Sequence, residues 1–137
     1  MAITKDSQSE EWFFSSNDYI LSETDEKGII IYANEIFCEI AGYKIEELIG
    51  EPHNIVRHLD MPRIAFKGLW DDIQAKGFWT GIVKNRRKDG AYYWVHATAL
   101  RQVHSDGRIT YLSVRRVPDR SDVDACTTLY AELRSSE

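Results

Sequence analysis

Cysteine is scarce in this sequence, and its scarcity excludes several kinds of site. Only 2 of the 137 residues are cysteines, Cys38 and Cys126, and they stand far apart. Because no C-x-x-C pair occurs, a disulfide framework, a structural zinc site and a covalent haem of the C-x-x-C-H type are not expected. We therefore expect a cytoplasmic protein with reduced thiols.

Long apolar runs are also absent. Nothing approaches the roughly 20 apolar residues of a membrane-spanning helix, and the N-terminus, MAITKDSQSEEW, lacks the apolar core of a secretory signal. We expect no direct membrane insertion. The net charge of -5 gives no electrostatic reason to expect nucleic acid as a partner.

Motifs of catalytic chemistry are missing as well. The sequence contains no G-x-S-x-G nucleophile motif and no glycine-rich phosphate loop of the common types. His53 and His58 could both bind a metal, but no cysteine or acidic cluster completes a four-ligand set. The sequence therefore favours a binding domain over an enzyme.

Turn signals divide the chain into strands and helices. Asp25–Gly28, Lys88–Gly90 and Ser105–Gly107 each separate two β-rich runs, which indicates three hairpin turns. The element order β-β-α-α-α-β-β-β predicts an α+β domain whose five-stranded antiparallel sheet carries a helical insert on one face, flanked by terminal helices. The predicted boundaries are an N-terminal cap segment, a main domain and a C-terminal amphipathic helix, at 1–17, 18–118 and 119–137.

Helix ends can be placed from capping residues. Asn34 is a suitable N-cap for a first helix that ends at Gly42, and Asp60 is a suitable N-cap for the longest helix of the insert, which Gly77 ends. Ser121–Asp124 resembles a capping box. Apolar residues at helical spacing predict a buried stripe on the long helix, formed by Phe66, Leu69, Trp70 and Ile73.

One strand carries an unusually small set of side chains. In AYYWVHATAL, alternation places three alanines on one face together with a tyrosine and a valine. If that face points inward, it leaves volume between the sheet and the helices, and close packing does not tolerate a large void. Either bulky neighbours or a ligand must fill it; the residues of this face are Ala91, Tyr93, Val95, Ala97 and Ala99.

The stretch EPHNIVRHLDMP concentrates polar chemistry in twelve residues, from Glu51 to Pro62. Arg57 offers a planar fork for a phosphate or a carboxylate, and His53 and His58 can donate to an anion. Asp60 could accept from a ribose hydroxyl. Each residue also has an ordinary structural alternative, such as a surface ion pair for Arg57 or a helix cap for Asp60.

The element order and two motifs together resemble the PAS domain, a small sensory module. YANEIFCEIAGYKIEELIG is similar to the first helical block of that family, N-x-x-F-x-x-x-x-G-Y, and NRRKDGAYYWV is similar to its following hairpin. The segments GEPHNIVRHLDMP and FWTGIVKNRRKDGAYYWV further resemble the FAD-binding PAS domains of bacterial aerotaxis and energy-taxis receptors. Leu59 departs from that pattern, which has a proline there.

This resemblance implies a redox or oxygen sensor that holds FAD non-covalently and passes the redox state of the flavin to an output domain. Asn85 matches an asparagine that contacts the polar edge of flavin in the related blue-light branch, and an amide suits that edge. The resemblance places the remaining predicted cofactor-binding residues in or near the FAD site: Asn34, His53, Arg57, His58, Asp60, Trp70 and Trp79.

Two alternatives remain open at this level. A haem-binding PAS gas sensor would use His53 or His58 as the axial ligand, and a cofactor-free PAS domain would act only in dimerisation. We expect a homodimer and a chemotaxis receptor or another signalling output domain as partner. Several aromatic residues could belong either to the core or to such a dimer surface: Trp12–Phe14, Trp94 and Tyr111.

Overall fold

A five-stranded antiparallel sheet forms the centre of the structure. The computed structural model describes residues 4–5 and 11–137. The strands lie in the order β4-β3-β7-β6-β5, and every neighbouring pair is antiparallel. The predicted α+β class is confirmed. The bounds are Ile20–Thr24 for β3, Ile30–Ala33 for β4, Phe78–Arg86 for β5, Tyr92–Val103 for β6 and Ile109–Arg116 for β7.

The helical insert connects β4 to β5 and covers one face of the sheet. Its α-helices are α1, Glu35–Ala41, α2, Ile45–Leu48, and α3, Arg63–Lys76, with a 3-10 helix at His53–Val56 between α2 and α3. The terminal helix α4 spans Arg120–Ser135 and packs against β5. In the described part of the chain, every helix is too short or too polar to cross a membrane.

The N-terminal flank differs from the expected helix. Thr4–Lys5 and Trp12–Phe13 form a short antiparallel pair, β1 and β2. Phe14 is buried in the core while Phe13 is half exposed, as alternating side chains of an extended segment require. The rest of the predicted cap segment, residues 1–3 and 6–10, lies outside the described residues.

The first helix begins and ends where the sequence predicted. The Asn34 side chain accepts a hydrogen bond from Phe37 N, and Gly42 ends the helix in the left-handed conformation. Asn34 also joins the helix to the sheet, because its Oδ1 accepts from Leu21 N at 3.0 Å and its Nδ2 donates to Tyr19 O at 2.8 Å. All three partners are backbone groups.

Two predicted caps are wrong. Helix α3 begins one residue after Pro62, and the Asp60 carboxylate instead forms an ion pair with Lys84 at 2.7 Å. Helix α4 begins at Arg120, so Ser121 lies inside the first turn and the predicted capping box does not form. At the start of α3, the Lys84 ammonium group, distant in sequence, binds the Asp60 carboxylate in place of the N–H groups of the helix.

Truncating Asn34 should cost stability through the backbone groups it satisfies. We expect Asn34→Ala to lower the free energy of unfolding by about 1–2 kcal/mol, because the α1 cap and its link to β3 are lost together. Denaturant unfolding measured without added ligand tests this. Asn34→Asp is the matched control, since its carboxylate can still accept both N–H groups; an equal loss in both variants would contradict the capping role.

Candidate functional site

Small side chains line up across the inner face of the sheet. In one row across the strands, Ala97 lies between Gly81 on β5 and Arg115 on β7. In the next row, Ala99 lies opposite Ser113. These rows form the floor of a cavity of about 350 Å³ between the sheet and the helical insert. The prediction that this face leaves unfilled volume is confirmed, and the volume falls within the range of ligand pockets.

Helix α3 and the strand ends form the walls. Ile73 is buried, as the predicted stripe requires, but Trp70 is 41% exposed and Phe66 is only partly buried. Both line the cavity with Leu69. The full burial predicted for the stripe is therefore wrong, because most of it faces the cavity and not packed side chains. At one end, the Trp70 ring meets Tyr111 edge-on at 5.1 Å.

A second tryptophan lies along the floor. Trp79 lines the cavity, and its ring lies over Gly81 so closely that a Cβ added to that glycine would come within 2.5 Å of the indole. No real Cβ atom tolerates that distance, so the indole can occupy this position only because Gly81 has no side chain. The result is a flat aromatic surface beside the small residues.

An unpaired cation is buried in the cavity wall. Arg115 is 2% exposed, and its Nη2 donates to Ser22 Oγ at 2.8 Å. Its Nε and Nη1 atoms are buried without a hydrogen-bond partner among the described residues. The Phe37 ring lies 4.3 Å from the guanidinium and partly compensates the charge. Burial lowers the pKa of Arg115 to about 10, although the group still remains protonated at neutral pH.

His53 adjoins this arginine. Its Nε2 lies 3.0 Å from Ser22 Oγ, the same hydroxyl that accepts from Arg115. Burial of the imidazole, reinforced by the Arg115 charge, lowers the pKa of His53 to about 3. The ring is therefore neutral at physiological pH. Because the Ser22 oxygen already accepts from Arg115, its hydrogen can be donated to His53 Nε2.

The cavity as a whole favours an electron-rich ligand. Lys27, Arg57 and Arg115 line it, and none of its described lining residues is acidic, in a chain whose net charge is -5. Asn85, 4% exposed, adds an amide that can both donate and accept. Aromatic walls, an amide and unpaired N–H donors suit a flat, polar-edged ring system.

The structure separates the predicted site residues into two groups. Five line the cavity, and they are His53, Arg57, Trp70, Trp79 and Asn85. Asn34, His58 and Asp60 do not line it. Asn34 serves the backbone contacts described above. His58 and Asp60 lie beyond the edge of β5, where His58 Nδ1 accepts from Asp60 N at 2.9 Å and the His58 ring meets Tyr92 edge-on.

A second, more open depression adjoins the cavity. Its volume is about 540 Å³, and Asn54 and Arg57 line both spaces. The Arg57 guanidinium stacks on the Phe66 ring at 4.0 Å, which holds it at the boundary. Three further arginines and one acidic residue line the depression: Arg63, Arg86, Arg134 and Glu137.

Sequence reasoning missed Arg115 and Ser22. Arg115 follows Val114 and precedes Arg116 in a strand, where a pair of arginines normally indicates a solvent-exposed end. The available signal was the alternation of β7, which places Tyr111, Ser113 and Arg115 on the same inward face. Ser22 occupies the corresponding inward position of β3, opposite Ser113.

Comparison with known proteins agrees with this architecture. The family model described as PAS fold matches residues 30–115, and the chain belongs to that family. A solved light-oxygen-voltage domain, studied with a flavin analogue, has the same fold with a TM-score of 0.70 at 19% identity, covering 85% of this chain and 90% of that one.

Two curated relatives extend the comparison. The aerotaxis receptor of Escherichia coli (strain K12) is 42% identical over 117 residues, which cover 85% of this chain and 23% of that protein. The nitrogen fixation regulatory protein of Klebsiella oxytoca is 28% identical over 116 residues, which cover 84% of this chain and 22% of that protein. The chain thus spans less than a quarter of the length of either relative.

The lowered pKa of His53 predicts a dependence of stability on pH. Between about pH 3 and pH 6.5 the unfolded chain binds a proton at this histidine that the folded chain does not, so stability falls as the pH is lowered through that range. Going from pH 7 to pH 5 should cost the wild-type protein about 1–2 kcal/mol more than the His53→Gln variant. Urea unfolding at the two pH values measures this, and equal losses would show that His53 is protonated in the folded protein.

Proposed function

We propose that this chain is a flavin-binding PAS domain that senses redox state or oxygen and acts in signal transduction rather than in catalysis. The observation that carries the proposal is a cavity lined by both Asn85 and Arg115, with the Nε and Nη1 atoms of Arg115 lacking a hydrogen-bond partner among the described residues. A buried cation without a carboxylate partner is costly unless a ligand compensates it. When a flavin is bound, the Arg115 cation would stabilise the anionic forms that reduction of the ring can produce, and would thereby favour reduction.

FAD is the flavin that the surroundings of the cavity favour. A dinucleotide carries two phosphates beyond the flavin ring, and the arginine-lined depression begins where Arg57 ends the cavity. Guanidinium groups bind phosphate with paired N–H donors, and four of them surround this space. The ring would lie against Trp79 and Asn85, and the cofactor would be held without a covalent bond.

The signalling role follows from similarity to the relatives. The aerotaxis receptor shares 42% of its residues with this chain over the matched region, and that region is a minor part of the receptor. We propose that this domain likewise works in the cytoplasm, as a homodimer, and passes the state of its cofactor to an attached or separate output domain in aerotaxis or energy taxis. A bound cofactor can shift the domain between two conformations only if it binds them with different affinity.

The haem alternative has weaker support. Of the two candidate axial histidines, His53 has its Nε2 atom within 3.0 Å of Ser22 Oγ, and His58 does not line the cavity. A cofactor-free dimerisation domain would leave the cost of burying Arg115 uncompensated. The aromatic residues considered for a dimer surface are divided between core and surface. Phe14, Trp94 and Tyr111 are buried, Trp12 is partly buried against the core, and Phe13 is half exposed.

The visible spectrum of the purified protein, with and without added FAD, tests the proposal. Flavin absorption that bleaches with dithionite and returns in air is the expected result. A sharp Soret band would instead indicate haem. Failure to bind flavin after refolding with FAD and with riboflavin would contradict the proposal and leave a cofactor-free domain.

Arg115→Met separates a cofactor role from a structural one. Removing the cation should lower the reduction potential of the bound flavin. A tenfold decrease in the equilibrium constant for one-electron reduction corresponds to a shift on the order of 60 mV. It should leave the ligand-free protein as stable or more stable, because an unpaired buried charge is lost. Arg116→Met is the matched control, since Arg116 is the exposed neighbour on the same strand. An unchanged potential with a large loss of stability would mean that Arg115 is only structural.

Gly81→Ala tests the position of Trp79. The new methyl group collides with the indole, which must leave the floor of the cavity. We expect flavin affinity to fall roughly tenfold, because a pocket wall changes shape. Gly68→Ala on α3 is the control, since a Cβ there meets nothing within 4 Å. Equal flavin dissociation constants in the two variants, measured by fluorescence titration, would show that Trp79 does not contact the ring.

A further inference from the structure

The last residue of the chain occupies an anion-binding position at the start of α3. Glu137 Oε1 accepts from Arg63 N and Oε2 accepts from Ile64 N, both at 3.1 Å. The Arg63 Nε atom lies 3.6 Å from the same carboxylate. Free N–H groups in the first turn of a helix attract negative charge, and here α3 receives it from a residue more than seventy positions away.

Arg134, three residues before Glu137, makes a second contact near the end of α4. Its Nη1 donates to the backbone carbonyl of Asp60, in the loop that leads from the cavity to α3. The end of α4 is thus fixed at two points, one on the loop and one on the first turn of α3. Tyr130 adds a third point, because its hydroxyl donates to Ile82 O on β5 at 2.5 Å.

Glu137 also lies in the arginine-lined depression. It is the acidic residue of that lining among the described residues, and it shares the lining with the arginines that would receive the phosphates of a dinucleotide. Arg63 Nε lies 3.6 Å from its carboxylate. The Glu137 side chain is 22% exposed, and the residue as a whole is exposed. A carboxylate and a phosphate compete for such donors because both are anions that accept paired N–H hydrogen bonds.

We propose that Glu137, two residues beyond the end of α4, is an internal competitor for the phosphate-binding arginines, so that its carboxylate and the dinucleotide phosphates exclude each other. This inference rests on the proposed function, since it describes how the same site is regulated. Binding of the dinucleotide displaces the Glu137 carboxylate and weakens the attachment of α4 to α3. The position of α4 then depends on whether the cofactor site is filled.

The decisive comparison is between FAD and riboflavin, because riboflavin has the same ring system and no phosphate. We expect Glu137→Gln to bind FAD roughly tenfold more tightly than the wild-type chain, since an anionic competitor is removed. Riboflavin affinity should stay unchanged. Both dissociation constants are measured by quenching of flavin fluorescence at fixed ionic strength, because phosphate contacts weaken with salt.

Glu132→Gln is the matched control. It removes the same charge from the last turns of α4, five residues before Glu137, and Glu132 does not line the depression. It should leave both affinities unchanged. If Glu137→Gln does not raise the ratio of FAD to riboflavin affinity above that of Glu132→Gln, the competition is refuted while the proposed function stands. If the wild-type chain binds neither flavin, the proposed function itself fails.

Hydrogen exchange provides a second readout that does not depend on affinity. In the wild-type chain, amides in the last turn of α4 should exchange faster with FAD bound than with riboflavin bound, because only FAD displaces Glu137. In Glu137→Gln the two complexes should exchange alike. Equal exchange in both wild-type complexes would overturn the proposal.

Discussion

The buried guanidinium of Arg115 is the constraint around which the rest of the inner face is organised. Its charge has no carboxylate partner among the described residues, so it depends on the Ser22 hydroxyl, the face of the Phe37 ring and whatever fills the cavity. The same charge helps to keep His53 neutral. A fully packed, apolar site would have been more stable at this position, and the fold instead retains an open volume beside an unsatisfied donor.

The edge strand β5 separates two chemical environments. Asn85 points into the cavity, whereas its neighbour Lys84 points to the other side, where it pairs with Asp60. The loop from Arg57 to Asp60 wraps around this edge, with Arg57 bridged to Asn85 on one side. The loop therefore contacts the cavity side through Arg57 and the α4 side through Asp60.

Local signals predicted the elements well, and failures arose where distant partners intervened. Asn34 and Gly42 define α1 through contacts three or four residues apart, so the sequence carries that information. Asp60 was predicted as a cap, but Lys84 lies 24 positions away. The apolar stripe on α3 has the same spacing whether it faces a packed core or a cavity. Arg115 can be recognised as a site residue only once it is known which side chains of β7 point inward.

Both described backbone edges of the sheet are occupied at several positions by other parts of the chain. On β5, Ile82 O accepts from the Tyr130 hydroxyl, Lys84 N donates to Met61 Sδ, and Asn85 is bridged by Arg57. At the opposite edge, Ile30 exchanges backbone hydrogen bonds with Gly50 and Glu51. A foreign β-strand could not extend the sheet at these positions without first breaking those bonds. Association with another protein at these points must therefore use side chains. The occupied edges also hinder aggregation through pairing of β-strands between molecules.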